Sequence, residues 1–432
     1  MALPALTFIA TSDLVGHARG RSVPSSGATQ ALRRGVGWVP ANLAINTFGE
    51  IADDNVFGAA GDLRLVPDAT TGIDIPAGHG RPDLRLLLAD QRLPDGSEWD
   101  CCPRTFARRA LRGFTEATGL EVVASFEHEF AILDAPAAGP FSLRRLRGAE
   151  PFGTELVELL DSTGLQPENW LPEYSPQQYE ITLEPAPGLI AADRAVLLRE
   201  LVHDLAARHE RTVTFAPIAA PGAGGSGVHV HLSLHDARTG APALYDADAP
   251  SCLSEIGARF SAGIIRHAGA LTALSACSPS SYQRLAPHSW SVGGAFLGER
   301  NREALLRICP TSTLGGGDPT RQLNLEFRAA DATANPWIVL GALVRAGLEG
   351  LRRGYEPEHI WPEEATEAEL AGVPRIPGSV DEALAALTED EVAAGWFHPD
   401  LLRTYLDVKR SESEAVRGLT PEEICRKVAD VY

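Results

Sequence analysis

Four stretches of the chain alternate apolar and polar residues strictly enough to read as strands, each with a core face and a polar face. In residues 125–133, Phe126, His128 and Phe130 point one way and Glu127 and Glu129 the other. Residues 178–184 place Glu180, Thr182 and Glu184 on one face, and residues 227–234 set His229, His231 and Ser233 opposite Val228, Val230, Leu232 and Leu234. Residues 323–328 oppose Asn324, Glu326 and Arg328 to Leu323, Leu325 and Phe327. Helical spacing takes over elsewhere. Residues 105–118 read as an amphipathic helix with Pro103 at its start and Gly119 as its stop. Further helices are predicted over 193–211, 336–353 (closed by Gly354), 380–387 and 399–412, and from Pro421 with Thr420 as N-cap. Residues 135–176 read as loop-rich around one short helix, 154–161. Residues 1–100 carry short strand candidates at 7–10 and 84–88 between Gly, Pro and Asp turn signals. The pattern predicts two domains, a small β-rich one over 1–100 and a larger one over 101–432 that mixes strands and helices.

Composition narrows the class. With 44% hydrophobic residues in 432, there is material for a large core. A formal net charge of −19 argues against nucleic acid or an anionic membrane as the main partner. The six cysteines include the adjacent pair Cys101 and Cys102 but no Cys-x-x-Cys spacing, so they read as free thiols of a reducing cytoplasm. No signal peptide and no apolar span long enough for a transmembrane helix is evident.

The polar faces pose an electrostatic problem. Glu127 and Glu129 stand roughly 6–7 Å apart on one strand face, where their repulsion is on the order of 2–3 kcal/mol. A divalent hard cation, Mg²⁺ or Mn²⁺, removes that cost. One Glu-x-Glu alone suits the wet side of a surface strand equally well. His229 and His231 could likewise be hydrogen-bonded strand histidines, but the glycine-rich approach through Gly224, Gly225 and Gly227 lets the backbone come close to a ligand.

In this order, the four strands resemble the catalytic core of the glutamine synthetase-like, ATP-dependent γ-glutamyl ligases. Residues 61–68 resemble that family's N-terminal domain, residues 301–307 its phosphate-binding arginine segment, and Asn335-Pro336 the start of a following helix. The resemblance implies an α+β fold with a β-grasp N-terminal domain and a catalytic domain on a curved antiparallel sheet. It also implies a double-ring homo-oligomer with sites between subunits. Carried over residue by residue, it makes Glu129, Glu173 and Glu180 ligands of one metal, and Glu127, His229 and Glu326 ligands of a second that bridges the nucleotide phosphates. Arg302 and Arg307 become the catalytic, phosphate-stabilising arginines. Arg284 and Arg328, with Gly225, face the glutamate, and His231, Ser233, Arg321 and Arg302 face ATP. The implied reaction activates the glutamate γ-carboxylate as γ-glutamyl phosphate, which an amine then converts to an amide.

Departures from the family point to the amine. Trp290 stands where ammonia-using members carry a flap glutamate, and no N-terminal aspartate aligns for ammonium, although Glu50, Asp53 and Asp54 lie nearby. Tryptophan offers an apolar face to an organic substrate, so a polyamine, alkylamine or aromatic amine is expected at the substrate-binding Trp290. The alternatives are ammonia, with a shifted acid such as Glu299 in the flap's place and Trp290 a packing residue, and a non-catalytic assembly. The family's asparagine before Gly-Ser-Gly aligns with Gly224, and no counterpart of the adenylylated tyrosine appears near Trp361.

Overall fold

The computed structural model describes residues 4–285 and 292–432. Trp290, the residue expected at the amine, lies outside the described residues.

Two sheets organise the chain. The smaller has Ala18–Pro24, Leu6–Ser12, Leu84–Arg92, Leu63–Pro67 and Val36–Trp38 in that spatial order, with Ile73–Ile75 also paired to Leu84–Arg92. Leu6–Ser12 and Leu84–Arg92 run parallel, and their apolar residues Ile9, Leu86 and Leu88 are buried. The larger sheet is laid out around the strand Leu120–Ile132. Val228–Asp236 and Gln178–Leu183 flank it, followed by Leu325–Phe327 and Ala304–Ile308 on one side and Pro167–Pro172 on the other. The expectation of an antiparallel sheet needs one correction. Gly294–Glu299 pairs parallel to both Ala304–Ile308 and Ile360–Trp361. Only residues 300–303 join Gly294–Glu299 to Ala304–Ile308, so this parallel pair is made without the long crossover that parallel neighbours usually need.

The apolar face is covered by helices. Val122, Ala124, Phe126, His128 and Phe130 are all buried, as the two-residue period requires. His128 shares that fate, and burial together with the Arg199 charge pushes its pKa down to about 3. Pro103–Thr118 and Gly188–Arg208 pack on this strand, and Pro336–Arg353 packs on both helices. Pro103 opens the first helix, and Gly119, at φ +72°, ends it in the left-handed conformation that glycine adopts without strain. Pro336–Arg353 has the predicted bounds, and Asn335 accepts from the amides of Trp337 and Ile338 at 2.9 and 3.1 Å. Gly188–Arg208 starts five residues before the predicted Asp193 because Gly188 and Ala191 continue its buried stripe. The helices Glu255–Arg266 and Ala268–Ser275 were not anticipated. The first crosses Pro336–Arg353 nearly backbone to backbone, so a Cβ at Gly263 would lie 2.0 Å from the Ala346 carbonyl oxygen.

One buried cation ties the two sheets together. Arg104 donates to Asp193 at 2.9 and 2.7 Å from the long helix, and to Asp90 at 3.0 Å and Asp68 at 2.9 Å from the smaller sheet. The Trp337 indole N–H completes Asp193 at 2.8 Å. Removing the guanidinium strands buried carboxylates, which typically costs about 3–5 kcal/mol. Arg104→Met should therefore lower the unfolding free energy measured in urea by an amount in that range. A shift of under about 1 kcal/mol, as for an exposed pair, would show that the network does not hold the sheets together.

Candidate active site

Strand register alone assembles the polar face. Directly opposed residues of paired strands project to the same side of a sheet. Arg307 opposes Glu326, Glu326 opposes His231, His229 opposes Glu127, and Glu129 opposes Glu180. Residues drawn from positions 127 to 326 thus meet on one surface, opposite the helical layer.

Side-chain contacts tighten the cluster. His229 Nδ1 is 3.2 Å from Glu127 Oε2 and 3.5 Å from Glu326 Oε1, and His231 Nε2 is 3.0 Å from Glu127 Oε1. One ligand atom each from Glu127, His229 and Glu326 lies within 4.8 Å of the others. Ions that bind N and O donors at about 2.0–2.2 Å need donor separations of this order. Glu129, Glu173 and Glu180 form no equally tight group among the described residues. They are electrostatically coupled nonetheless. Burial pushes the Glu180 carboxyl up to about 9, helped by the charges of Glu127, Glu129 and Glu173. Glu173 is also raised, by burial and then by Glu129. On the other side of the cluster, Glu326 is held down at about 2 against its burial by Arg328, His229 and His231. A carboxylate group half suppressed by its own repulsion, beside a His/Glu donor set, fits divalent cations. The one imidazole among oxygen donors suits Mn²⁺ as well as Mg²⁺.

The supporting contacts escaped the sequence reading. Gln178 donates to Glu129 Oε2 at 3.0 Å and to the Gly225 carbonyl at 2.8 Å, and the Gly227 amide donates to the same Glu129 oxygen at 2.8 Å. Buried Arg145 donates to the carbonyls of Glu173 and Ser175, bracing the loop that carries Glu173. Its sequence context, among neighbouring arginines 144 and 147, carries no signal for this role. Asn324 Oδ1 meets His231 Nδ1 at 2.8 Å, and the buried Cys309 thiol is 3.8 Å from the same nitrogen and 3.7 Å from Glu326 Oε2.

The arginines divide. Arg307 Nη1 donates to Glu326 at 2.7 Å, Arg328 pairs with the other oxygen of Glu326, and both arginines are buried. Arg328 Nε also donates to the Arg302 carbonyl at 2.8 Å. The Arg302 side chain is exposed, and its charge reaches Glu173. Arg284 is buried against the carbonyls of Ala329 and Ala330 and lies 3.9 Å from Asp331. Gly225 is packed on it so closely that a Cβ would sit 2.2 Å from Arg284 Cγ. At Gly224, where the family has asparagine, a Cβ would meet Ser175 Oγ at 1.6 Å, so the side chain of Ser175 takes that space. Ser233 continues the His229–His231 stripe and touches His235 at 3.0 Å. Arg321 is not drawn into the cluster: it is exposed on the short helix Pro319–Gln322, 3.8 Å from Asp318. Glu50, Asp53 and Asp54 are exposed loop acids, and Glu299 accepts from Ser251 at 2.8 Å.

Profiles of two families match the sequence: the glutamine synthetase catalytic domain over residues 100–427 and the glutamine synthetase N-terminal domain over residues 4–99. The chain belongs to the glutamine synthetase family. It is 32% identical to a gamma-glutamylpolyamine synthetase of Streptomyces coelicolor, over 96% of this chain and 91% of that one. With the glutamine synthetase of Pyrococcus furiosus it shares 28% identity, over 93% of this chain and 89% of that one. The crystal structure of a protein described as a novel glutamine synthase homolog superposes with a TM-score of 0.93 at 40% identity, covering 100% of this chain and 99% of that one. Family membership makes the protein a carbon–nitrogen ligase that uses ATP, and the family is generally divalent-metal dependent.

The strain in this glutamine synthetase site is measurable. Because the Glu180 carboxyl is raised from 4.5 to about 9, the folded protein keeps a proton that the unfolded chain releases. Metal-free stability should therefore fall as the pH rises from about 4.5 toward 9. Glu180→Gln should stabilise the metal-free protein by ~2–3 kcal/mol at neutral pH, and should shrink the gain in melting temperature on adding Mn²⁺. An undiminished Mn²⁺ gain in the variant would remove Glu180 from the cation site.

Proposed function

We propose that this ligase joins the γ-carboxylate of glutamate to an organic amine, with a polyamine, alkylamine or aromatic amine preferred over ammonia. One observation carries the choice: Trp290 stands where ammonia-using members of the family have a flap glutamate. Ammonium needs anionic or carbonyl partners, whereas an indole face suits carbon chains, rings and alkylated cations. The 32% identity to a protein named gamma-glutamylpolyamine synthetase supports the same reading.

In this reading, residues 1–100 form the β-grasp domain and 101–432 the catalytic domain of a double-ring homo-oligomer, with sites completed between subunits. Glu129, Glu173 and Glu180, and separately Glu127, His229 and Glu326, hold Mg²⁺ or Mn²⁺, which supplies charge neutralisation of the nucleotide phosphates. His231 and Ser233 face the nucleotide from the same strand stripe, while Arg321 serves its phosphates only if the short helix moves inward. Arg284, held rigid against Gly225, and Arg328 orient the glutamate through charge-assisted hydrogen bonds. A γ-carboxylate oxygen attacks the terminal phosphorus of ATP, and ADP leaves. Arg302 and Arg307 stabilise the charge spread over the transferred phosphoryl oxygens. The amine nitrogen then attacks the acyl carbon of γ-glutamyl phosphate, releasing phosphate and a proton and leaving an amide. Arg307 and Arg328 both pair with Glu326, so anion binding competes with that pairing.

Phosphate release from ATP, measured with Mg²⁺, glutamate and each of a panel of amines, tests the proposal, with product mass as confirmation. Turnover is expected with an organic amine and not with ammonia. Trp290→Glu should shift the ratio of kcat/KM toward ammonia by at least about tenfold, or ~1.4 kcal/mol. Strong turnover of ammonia by the unaltered enzyme would restore glutamine synthesis as its reaction.

A further inference from the structure

Away from the sheet, three residues from distant parts of the chain converge on one another. His79 occupies the tip of a tight hairpin between Gly78 and Arg81, Glu155 the first turn of the helix Phe152–Ser162, and His209 the C-terminal end of Gly188–Arg208. Both imidazoles aim Nε2 at the same carboxylate oxygen, Glu155 Oε2, at 3.2 Å from His79 and 2.9 Å from His209. The rings stand 4.5 Å apart, and one ligand atom from each of the three residues lies within 4.8 Å of the others. The His209 side chain is only 8% exposed, whereas His79 and Glu155 border solvent at 41% and 36%. That leaves an entry path and room for water as a further ligand.

We propose that His79, Glu155 and His209 form a second, non-catalytic cation site for a borderline divalent transition metal, best represented by Zn²⁺. Two imidazoles and one carboxylate are a donor set that favours Zn²⁺ over Mg²⁺, which prefers an all-oxygen shell. Tetrahedral coordination at about 2.0–2.2 Å separates ligand atoms by roughly 3.3–3.6 Å, so small outward shifts from the Nε2–Oε2 distances of 3.2 and 2.9 Å would admit the ion. The turn is built for its role. His79 and Gly80 both have positive φ, +49° and +77°, as in a primed hairpin turn, and this presents the ring at the tip. Neighbouring contacts already hold the hairpin in place: Arg208 donates to the Pro76 carbonyl at 2.8 Å, and Arg81 pairs with Asp204 at 3.2 Å. A bound ion would clamp the smaller sheet's hairpin to two helices of the larger unit.

Zn²⁺ titration of the full-length protein in saturating Mg²⁺, followed by calorimetry and by melting temperature, tests the clamp. Co²⁺ absorption reports the coordination. The unaltered protein should bind Zn²⁺ and melt at a higher temperature with it, and Co²⁺ should show tetrahedral d–d bands. His79→Asn, which keeps a residue tolerant of positive φ, and Glu155→Gln should each weaken this uptake at least tenfold and abolish the melting shift. Glu127→Gln in the catalytic cluster should leave the shift intact. The site is refuted if Zn²⁺ uptake in His79→Asn equals that of the unaltered protein, if Glu127→Gln abolishes it, or if no Zn²⁺ binds in excess Mg²⁺.

Discussion

The mutual repulsion of carboxylates gathered on one sheet face is the constraint around which the catalytic half is arranged. Glu127, Glu129, Glu180 and Glu326 come from strands whose other faces are buried under helices, so none can turn away without unpairing core residues. The chain meets the charge unevenly. Glu326 is neutralised by Arg307 and Arg328 and stays ionised, whereas Glu180 stands opposite Glu129 and Leu171 and resists ionisation. An uncompensated site of this kind is a cost that folding tolerates where cations and anionic substrates are to be bound. The stability for it comes from elsewhere, including the Arg104 network and the close-packed helices behind the sheet.

The polar face was legible because period-two patterning fixes side-chain direction. Once residues 125–133 and 227–234 were read as strands, the common orientation of Glu127 with Glu129 and of His229 with His231 followed. Helix ends were legible where a residue type has a single strong local preference, as at Pro103, Gly119, Gly354 and Thr420. Family resemblance added the grouping of ligands that periodicity could not supply. Other features were hidden because they depend on long-range packing. The strands Gly294–Glu299 and Ala304–Ile308 are buried on both faces and lack alternation. The helix Glu255–Arg266 is placed by glycine contacts that become visible only when Pro336–Arg353 lies across it. Arg145 and Gln178 act through backbone carbonyls and a carboxylate distant in sequence.

Second-tier contacts give the site its rigidity. Glu129 receives hydrogen bonds from Gln178 and the Gly227 amide, and the Glu173 loop is braced by Arg145, so these carboxylates keep their places before any ligand arrives. Such preorganisation is what lets charge neutralisation act on a transferring phosphoryl group without reorganising the protein. The arginines are placed differently: those resting on Glu326 can exchange one oxyanion for another, and Arg302 is exposed at the rim.

We propose that this carboxylate face holds divalent cations. Counting bound Mn²⁺ by electron paramagnetic resonance, in the presence of ADP and with the His79 site disabled, tests it most directly. More than one Mn²⁺ per chain is expected, with loss of bound ion in both Glu127→Gln and Glu129→Gln. Retention of the full Mn²⁺ complement in both variants would contradict it.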